Sequence, residues 1–380
     1  MNLLISAGEA SGDIHGSRLL RSLRSLRPGI TAFGMGGEKL EAEGLERIVS
    51  SENLSVVGIS EVLEKLPALS RALRTITHEA MRRRPAAAVL IDFPDFHGLL
   101  ARRLFRAGIP LIYYVSPQFW AWRSGRAAKL ARTALRIVTL FPFEADAYRR
   151  LGADAVWAGH PLVDEVREGL QKSPPVRTDT ARRRLLLLPG SRTAEVRRHW
   201  DVMLGAARKL AQRHPLEVVA IRAPGLPLSL YAGSSAHGVT VAPASERHAL
   251  LSSADLAFVA SGTATLEAAL CETPMVVVYR TSPASHALAR LLVRVRWISL
   301  VNIVAGEEVV PELIQKDLQV SRLEAEGEAL LTSPERVHRM REGLARVAGN
   351  LGPPGGSERA AQAILEVLMP GGSRTVVATP

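Results

Sequence analysis

Two carboxylates near the end of one apolar run are the residues best suited to move a proton. Asp92 follows residues 87–91, which are all Ala, Val, Leu or Ile, and Asp95 lies three positions further on. A carboxylate at the C-terminal tip of a buried parallel strand points into the crevice where ligands bind, and burial there raises its pKa. A raised pKa suits a general base, so we predict this role for Asp92. The alternative is a carboxylate that only caps the next helix, and Asp95 lies in the better position for that.

A glycine-containing turn, Gly8–Asp13, follows the first apolar run and is a second candidate site. Glycines let the backbone turn sharply and approach a ligand, and the N-terminus of the following helix attracts anions. The G-x-x-x-G spacing matches neither the dinucleotide-binding fingerprint nor the Walker pattern, which argues against a dehydrogenase or a P-loop ATPase. An ordinary strand-to-helix turn with Ser11 or Asp13 as the N-cap is the alternative. Glu9 has no structural duty in such a turn, so a functional role is favoured.

Two strand ends in the second half of the chain suggest an anion site. In Leu188–Arg192, Arg192 could pair with a diphosphate while the amides of Gly190 and Ser191 face the same group. In Ala260–Glu267, small and hydroxyl-bearing residues surround a helix start, and the glutamate lies about one turn inside, within reach of a ribose diol. The alternatives are an ordinary turn for the first segment and a capping box for the second. The predicted ligand contacts of the second segment are Ser261, Gly262, Thr263 and Glu267.

Three other segments carry aromatic or amphipathic patterns. Tyr113–Trp122 concentrates four of the ten Trp and Tyr residues, which suits either packing under a loop or a surface that faces sugar or lipid. Apolar residues recur at helical spacing within 63–76 and 287–297, with arginines beside them. Such helices either lie in a membrane interface or present a stripe to the core, and the core is the commoner explanation.

Metal and redox chemistry have little support in the sequence. The ten histidines show no H-x-x-x-H or H-E-x-x-H spacing, so we predict no metal and no cofactor. His15, His97 and His160 are each isolated and are predicted to be structural or hydrogen-bonding residues. The single cysteine, Cys271, has no partner within the chain, which excludes a disulfide scaffold.

The elements that position these residues alternate between short β-rich runs and longer helical patterns, which indicates an α/β protein with parallel sheets. The polar segment 171–180 contains two adjacent prolines and is typical of a linker. We predict two doubly wound, Rossmann-like domains that face a central cleft. They cover residues 1–172 and 173–369, the second with C-terminal helices, and a flexible tail follows over 370–380. The predicted strands are 3–7, 31–35, 87–91, 111–115 and 137–140, then 185–188, 217–221, 238–241, 256–259 and 275–279.

The composition limits the class of protein further. The 380 residues are 47% hydrophobic, which is enough for two cores and excludes a disordered chain. The pattern contains no signal peptide and no membrane span, so we expect a soluble cytoplasmic protein that can still rest on a membrane. The formal charge of +11 suits nucleic acid, an anionic membrane surface or a phosphorylated small molecule. Because the two halves share this excess almost equally and no basic tail is present, we do not predict nucleic acid as a partner.

Taken in order, these motifs resemble those of the lipid-A-disaccharide synthases, a family of inverting glycosyltransferases with the GT-B fold. The matching segments span nearly the whole chain in colinear order, which is more specific than any one of them. They are G-E-A-S-G-D at 8–13, I-D-F-P-D-F at 91–96, Y-V-S-P-Q-F-W-A-W at 114–122, L-L-P-G-S-R at 187–192, A-S-G-T-A-T-L-E at 260–267 and S-L-V-N at 299–302.

The resemblance implies a reaction that joins UDP-2,3-diacylglucosamine to 2,3-diacylglucosamine 1-phosphate (lipid X), forms the β-1,6-linked lipid A disaccharide 1-phosphate and releases UDP. Asp92 matches the family's candidate base. Arg192 and the helix start at 261–263 would stabilise the departing UDP in place of a metal, and Glu267 would hold the ribose. The remaining residues that the resemblance places in the catalytic or substrate-binding set are Glu9, Ser11, Gly12 and Asn302.

The resemblance also implies a cellular location and a set of partners for the chain. Both lipid substrates are amphiphilic anions, so the partner surface would be the anionic inner membrane, with peripheral association at its cytoplasmic face; a homodimer is one assembly to test. Two positions depart from the family pattern, because His97 stands in place of Asn and Val301 in place of Pro. The first could change the surroundings of Asp92 and the second the loop of Asn302.

Two other functions share some of these features. Another GT-B enzyme that uses a UDP-sugar, either an N-acetylglucosaminyltransferase or a UDP-sugar epimerase, would share the architecture and the donor site but not the segments at 8–13 and 120–122. A non-enzymatic, basic peripheral-membrane protein would use the charge but would leave Asp92 and Glu267 without a purpose.

Overall fold

The computed structural model describes residues 1–52, 59–116, 124–175, 181–282 and 296–369. The second half of the predicted linker, the aromatic segment from 117 to 123, most of the stretch 287–297 and the tail 370–380 lie outside these residues. The chain divides into two compact units. The first comprises Met1–Pro161 together with the chain from Gly352 onward, and the second is Leu162–Leu351.

The first unit is built on a parallel sheet of seven strands in the order β3-β2-β1-β4-β5-β6-β7. Its central strands are buried on both faces because their sequences are almost purely apolar. The strands are β1 (Asn2–Ala7), β2 (Thr31–Gly36), β3 (Leu45–Ser50), β4 (Ala87–Ile91), β5 (Leu111–Tyr114), β6 (Arg136–Thr139) and β7 (Ala155–Trp157). The helices are α1 (Ala10–Leu26), α2 (Glu38–Ala42), α3 (Ile59–Arg83), α4 (Pro94–Arg106), α5 (Ser124–Thr133), α6 (Pro142–Arg150) and, numbered last in the chain, α14 (Gly356–Leu368).

The second unit repeats this plan with six parallel strands in the order β10-β9-β8-β11-β12-β13. Both sheets therefore have the doubly wound, Rossmann-like order, which confirms the predicted fold class. The strands are β8 (Arg183–Leu188), β9 (Leu216–Arg222), β10 (Val239–Pro243), β11 (Leu256–Ala260), β12 (Met275–Tyr279) and β13 (Glu312–Ile314). The helices are α7 (Leu162–Lys172), α8 (Thr193–Ala211), α9 (Arg247–Ser252), α10 (Thr263–Leu270), α11 (Leu300–Ala305), α12 (Val320–Thr332) and α13 (Pro334–Leu351).

The limits of the second unit differ from the predicted domain 173–369 at both ends. Helix α7 precedes the predicted linker, yet it belongs to the second unit, where it packs against α9 and α10. Helix α14 returns to the first unit and packs on α1, burying Ala360, Ala361 and Ile364. An apolar stripe predicts that a helix is covered, but periodicity alone does not say which sheet covers it.

Three strands lack the apolar run from which a strand is predicted. They are β3, β7 and β13, and each lies at an edge of its sheet. Most of their residues are only partly buried, so the strands carry mixed or very short sequences. Edge strands have less apolar surface to cover than central ones, which is why the sequence pattern misses them.

The apolar stripe predicted within 63–76 enters the core of the first unit along its second half. Leu73 and Ile76 are buried there, while Leu66 near the start of α3 is 49% exposed. The core-facing explanation therefore holds for the buried residues of this stripe. Within the described residues, no helix combines the length and the apolar character needed to cross a bilayer.

Candidate active site

The strand ends that carry Asp92 and the turn Gly8–Asp13 are neighbours in the first unit. Strands β1 and β4 pair with Ala7 opposite Ile91, so the chain leaves the sheet at the same level at both places. This is also the point where the strand order reverses, with β2 and β3 on one side and β5 to β7 on the other. Ligands of doubly wound sheets bind at the carboxyl ends of the strands beside such a switch point.

Asp92 is partly buried in this crevice, and its surroundings favour a proton acceptor. Burial raises the pKa of its carboxyl group above the ordinary value, while hydrogen bonds from the Phe93 N–H (2.9 Å) and from the Ser11 side chain oppose the rise. The raised pKa makes the carboxylate a stronger base, and the two donors fix its orientation. The structure thus brings Asp92 and Ser11 together.

The turn that presents Asp92 has a strained backbone. Asp92 and Phe93 have φ values of +52° and +58°, which place two consecutive non-glycine residues in the left-handed region. A Cβ atom on Gly8 would lie 2.0 Å from Cδ1 of Phe93, so only glycine allows that ring to pack against the neighbouring turn. Strain of this kind persists only where the surrounding contacts impose it.

His97 supplies one of those contacts. Its side chain is 1% exposed, its Nδ1–H donates to the carbonyl oxygen of Asp92, and its Nε2 lies 2.9 Å from the hydroxyl of Ser6. Because a carbonyl oxygen only accepts, Nδ1 carries the proton and Nε2 accepts from Ser6. Burial lowers the pKa of His97 to about 4, so the ring is neutral at pH 7. His97 is therefore a hydrogen-bonding residue, as predicted, and it holds the backbone of the candidate base.

The other residues of the turn Gly8–Asp13 divide between the site and the scaffold. Glu9 is the N-cap of α1, and its backbone carbonyl accepts from the Asp13 N–H at 2.9 Å. Neither Ser11 nor Asp13 is the N-cap, because α1 already begins at Ala10. The Asp13 carboxylate instead accepts hydrogen bonds from the start of α2, namely from the amides of Gly37, Lys39 and Leu40. Asp13 is thus a structural residue.

Gly12 packs closely on the sheet of the first unit. It is buried on the face of α1 that covers the sheet, where an added Cβ would lie 3.4 Å from the Ile91 carbonyl oxygen. This close packing of α1 on β1 and β4 keeps the start of the helix near the site, and the substrate contact at Gly12 stays a prediction.

The second unit has a pocket of about 320 Å³ at its own switch point. Strands β8 and β11 pair with Leu188 opposite Val259, and the segments that follow them both line the pocket. The two predicted anion-binding segments are thus brought together, although they are far apart in sequence. Arg192 and Arg247 are the cations of its lining, and Glu195 and Glu267 are the acidic residues.

The turn after β8 differs from its prediction in one respect. The amides of Ser191 and Arg192 donate to the Glu195 carboxylate at 3.0 and 3.3 Å, so Glu195 takes the place predicted for a diphosphate at the Ser191 amide. Gly190 has φ +130°, and a Cβ there would lie 2.6 Å from that of Glu195. A helix N-terminus attracts its own carboxylate as readily as a ligand, which is why the sequence could not separate the two. The Arg192 side chain is 58% exposed and lines the pocket.

Glu267 does not form the capping box that was its alternative role. The N-cap of α10 is Gly262, and Glu267 lies deeper in the helix, where its side chain is buried. Its Oε1 pairs with the Arg247 guanidinium at 2.6 Å, and its Oε2 has no hydrogen-bond partner among the described residues. An orphaned carboxylate oxygen beside a pocket is an acceptor for a ligand hydroxyl. Arg247 itself carries no sequence signal and is found only through this pairing.

The start of α10 lines the pocket mainly through its backbone. The Ser261 hydroxyl donates to the Ile298 carbonyl at 3.1 Å, so this side chain supports the turn. Gly262 has φ +154° with open space where a Cβ would lie, and Thr263 follows as the first residue of the helix. The bare backbone at Gly262 leaves room for an anion to approach the helix N-terminus.

One group of described residues has the composition of a metal site. Ligand atoms of Glu165, His248 and Glu267 lie within 4.8 Å of one another. The guanidinium of Arg247 stands in the same group, 2.6 Å from Glu267 and 3.8 Å from Glu165. Because this cation already pairs with both carboxylates, the group is best described as part of the charge network of the pocket.

Asn302 is fully buried and its side-chain hydrogen bonds are all internal. Its Nδ2 donates to the Val310 carbonyl and to Glu312, both at 2.9 Å, and its Oδ1 accepts from the amides of Val309 and Val310. No donor or acceptor is left for a substrate, so the geometry gives Asn302 a structural role in place of the predicted contact. Val301 is buried beside it on α11.

Comparison of the sequence with known protein families shows to which family the chain belongs. The sequence model of lipid-A-disaccharide synthetase matches residues 3–367. The chain belongs to this family. Among curated members named lipid-A-disaccharide synthase, that of Myxococcus xanthus is 40% identical over 97% of this chain and 98% of its own length. That of Anaeromyxobacter dehalogenans is 41% identical over 96% and 97%. As a member of the family, the chain is a glycosyltransferase.

Solved structures share the fold at low sequence identity. The UDP-bound MnaA of S. aureus has a TM-score of 0.66 at 12% identity and covers 97% of this chain and 96% of its own. The calicheamicin glycosyltransferase CalG4 has a TM-score of 0.62 at 15% identity, over 97% and 99%. These likenesses support the GT-B fold class and, at such identities, nothing finer.

Proposed function

We propose that the chain transfers the diacylglucosamine unit of UDP-2,3-diacylglucosamine to 2,3-diacylglucosamine 1-phosphate, giving the β-1,6-linked lipid A disaccharide 1-phosphate and UDP. Membership of the family over nearly the whole chain supports this choice of substrates. The observation that carries the chemistry is the partly buried Asp92, with its raised pKa, at the switch point of the first unit.

In this proposal Asp92 acts as the general base. Its carboxylate takes the proton of the acceptor 6-hydroxyl while that oxygen forms a bond to C1 of the donor sugar. The bond between C1 and the UDP oxygen breaks, its electron pair leaves with UDP, and the configuration at C1 inverts. Ser11 keeps the carboxylate oriented, and the proton passes from Asp92 to solvent after the transfer.

The pocket of the second unit would hold the UDP. Arg192 and Arg247 supply guanidinium donors there, each beside a glutamate of the lining. The open backbone at Gly262 lies at a helix N-terminus, so these groups together would stabilise a diphosphate as it departs. The orphaned Oε2 of Glu267 would accept a hydrogen bond from a ribose hydroxyl. All the proposed contacts to UDP are thus made by residues of this chain.

The test is UDP release by the purified chain from UDP-2,3-diacylglucosamine with the acylated 1-phosphate acceptor in detergent. We expect turnover with this pair and no comparable turnover with UDP-N-acetylglucosamine. Turnover with another UDP-sugar but not with the acylated donor would overturn the proposal.

The base is tested separately by Asp92→Asn, which we expect to lower kcat by about 100-fold or more because proton transfer is lost. Asp95→Asn is the matched control, since that carboxylate lies three residues away with a side chain 82% exposed. Normal kcat in Asp92→Asn, or an equal loss in both variants, would remove Asp92 from the mechanism.

We also propose that the chain associates peripherally with the inner face of the inner membrane. The proposed substrates carry acyl chains that anchor them in a bilayer, and the chain has a formal charge of +11 that favours an anionic surface. Fractionation of cells at low and high salt tests this, with release by salt as the expected result.

A further inference from the structure

A groove on the first unit carries charge that the proposed reaction does not use. It has a volume of about 480 Å³ and is lined by residues of α4 and α5. The side chains of Tyr113 and Leu130 are buried and form part of the lining. None of the residues assigned to proton transfer or to UDP lies in it.

The groove is strongly basic. Its cations are Arg102, Arg106, Arg126 and Lys129, and its one acidic lining residue, Asp95, pairs with Arg126 at 2.6 Å. Within the described part of the chain, the other three cations have no carboxylate at ion-pairing distance. Such unpaired charges attract an anionic partner.

Apolar side chains stand exposed between these cations. Leu99 and Phe105 are 58% and 37% exposed. Positions 99, 102 and 106 lie three or four residues apart, so they share one face of α4, and Phe105 lies at its border. A helix face that combines exposed apolar side chains with cations matches a lipid interface, where the apolar groups enter the acyl region and the cations meet phosphates.

The sequence segment that contains the groove residues also has many more basic than acidic residues. Residues 101–150 contain ten Lys or Arg and only two Asp or Glu, so most of the excess positive charge of the chain lies in this one segment. A nucleic acid would use the cations but would leave the exposed Leu99 and Phe105 in contact with water. The combination therefore favours lipid over nucleic acid.

We propose that this groove, with Leu99, Arg102, Phe105, Arg106 and Lys129 as its contact residues, docks the first unit on an anionic phospholipid bilayer. The inference rests on the membrane association proposed above and names the surface responsible for it. The apolar side chains insert among the acyl chains, and the cations bind lipid phosphates.

The experiment is co-sedimentation of the full chain with vesicles of phosphatidylcholine alone and of phosphatidylcholine with phosphatidylglycerol. The groove variant Arg102→Glu/Lys129→Glu changes one cation on each helix. The control variant Arg103→Glu/Arg132→Glu makes the same charge change at exposed positions of the same two helices outside the groove. Each cation near the surface contributes about 1 kcal/mol, so we expect the groove variant to bind anionic vesicles about 10-fold or more weakly and the control to change about twofold.

Other outcomes overturn the proposal. Equal losses in the two variants would mean that overall charge, and not the groove, causes binding. Failure of the wild type to bind anionic vesicles, or tighter binding to a DNA duplex than to vesicles, would also contradict it. So would a groove variant that keeps vesicle binding but has a higher KM for the acceptor, since the groove would then hold substrate.

Turnover in detergent micelles separates this inference from the proposed function. The groove variant should keep the wild-type kcat in micelles, because none of its changed residues touches the reacting groups. Absence of turnover in the wild type would instead count against the proposed reaction. The vesicle experiment would then still decide whether the groove docks on a bilayer.

Discussion

At the scale of single residues, the candidate base depends on a histidine that takes no part in proton transfer. His97 is neutral at pH 7 and donates to the carbonyl oxygen of Asp92, whose backbone lies in the left-handed region. A non-glycine residue in that region costs on the order of 1–3 kcal/mol, so the hydrogen bond helps to keep the carboxylate where the base is needed. We therefore propose that His97 is a positioning residue.

Replacing His97 should therefore lower kcat more than it raises KM. We expect His97→Ala to reduce kcat by about 10-fold, because a misplaced base transfers protons less well. His97→Asn should restore part of the loss, since its side-chain amide can still donate to the Asp92 carbonyl. Steady-state kinetics with a thermal unfolding control measure both effects. Equal kcat in the two variants would show that the hydrogen bond is not what matters.

In the second unit, the single residue that we can test in the same way is Glu267. Glu267→Ala removes the orphaned oxygen that we assign to the ribose, so UDP affinity should fall by about 10-fold, which corresponds to the loss of one hydrogen bond to a charged group. Glu165→Ala is the control, because Glu165 pairs with the same Arg247 at the longer distance of 3.8 Å and does not line the pocket. Calorimetric titration with UDP measures both. Unchanged UDP affinity in Glu267→Ala would exclude the ribose contact.

At the scale of elements, each unit builds its site from two neighbouring strand ends. In the first unit these are β1 and β4, and in the second they are β8 and β11. Parallel pairing sets both ends at one level, so Ala7 meets Ile91, 84 positions further along the chain, and Leu188 meets Val259, 71 positions further along. The turns that follow must then fit against each other, and Gly8 facing Phe93 is the tightest such contact in the first unit's site.

Gly8→Ala tests that contact between elements. The added Cβ would overlap the Phe93 ring, so either the ring or the Asp92 turn must move, and we expect a lower melting temperature with a destabilisation of about 1–3 kcal/mol as well as a lower kcat. Gly98→Ala on α4 is the control, because a Cβ there meets nothing within 4 Å. A fully active and equally stable Gly8→Ala variant would show that the turn tolerates rearrangement.

At the scale of the whole molecule, buried histidines make the first unit sensitive to acid. Burial lowers the pKa of His97 to about 4 and that of His160 to about 3, against 6.5 for an exposed histidine. The unfolded chain therefore binds more protons below pH 6.5, and the stability from the neutral rings is complete above that pH and is lost as the pH falls through the folded-state pKa.

The melting temperature of the first unit should accordingly fall between pH 7 and pH 5. The slope should approach about 1.4 kcal/mol per pH unit for each histidine below pH 6.5. His97→Asn should reduce this dependence, and His78→Asn, at a position of the same unit whose side chain is 74% exposed, is the control. Calorimetry across this pH range measures the effect. A flat profile in the wild type would contradict it.

At this scale the positive charge of the chain is also unevenly distributed. Counted by halves it is evenly shared, and this even division hides a segment with ten basic and two acidic residues. Helices α4 and α5 place cations from the start and from the middle of that segment along one groove. Net charge is thus a property of the composition, while a basic surface is a property of the fold.

The sequence by itself determined the fold class and the positions of the central strands, because strands buried on both faces must be continuous apolar runs. It also located Asp92, since a carboxylate directly after such a run lies at the binding edge of a parallel sheet, and Glu267, since the helix start that follows another such run lies at the same kind of edge. The colinear motifs indicated the family before any contact was known.

Only the tertiary structure decided which of these polar residues already have their partners inside the protein. Asn302 and Asp13 make their hydrogen bonds inside the protein, Glu195 occupies the Ser191 amide that was expected to face a diphosphate, and α14 packs on α1 of the first unit. A short polar motif contains the same donors and acceptors whether its partner is a substrate or a distant backbone segment. That choice is made by packing between elements far apart in sequence, and no local pattern contains it.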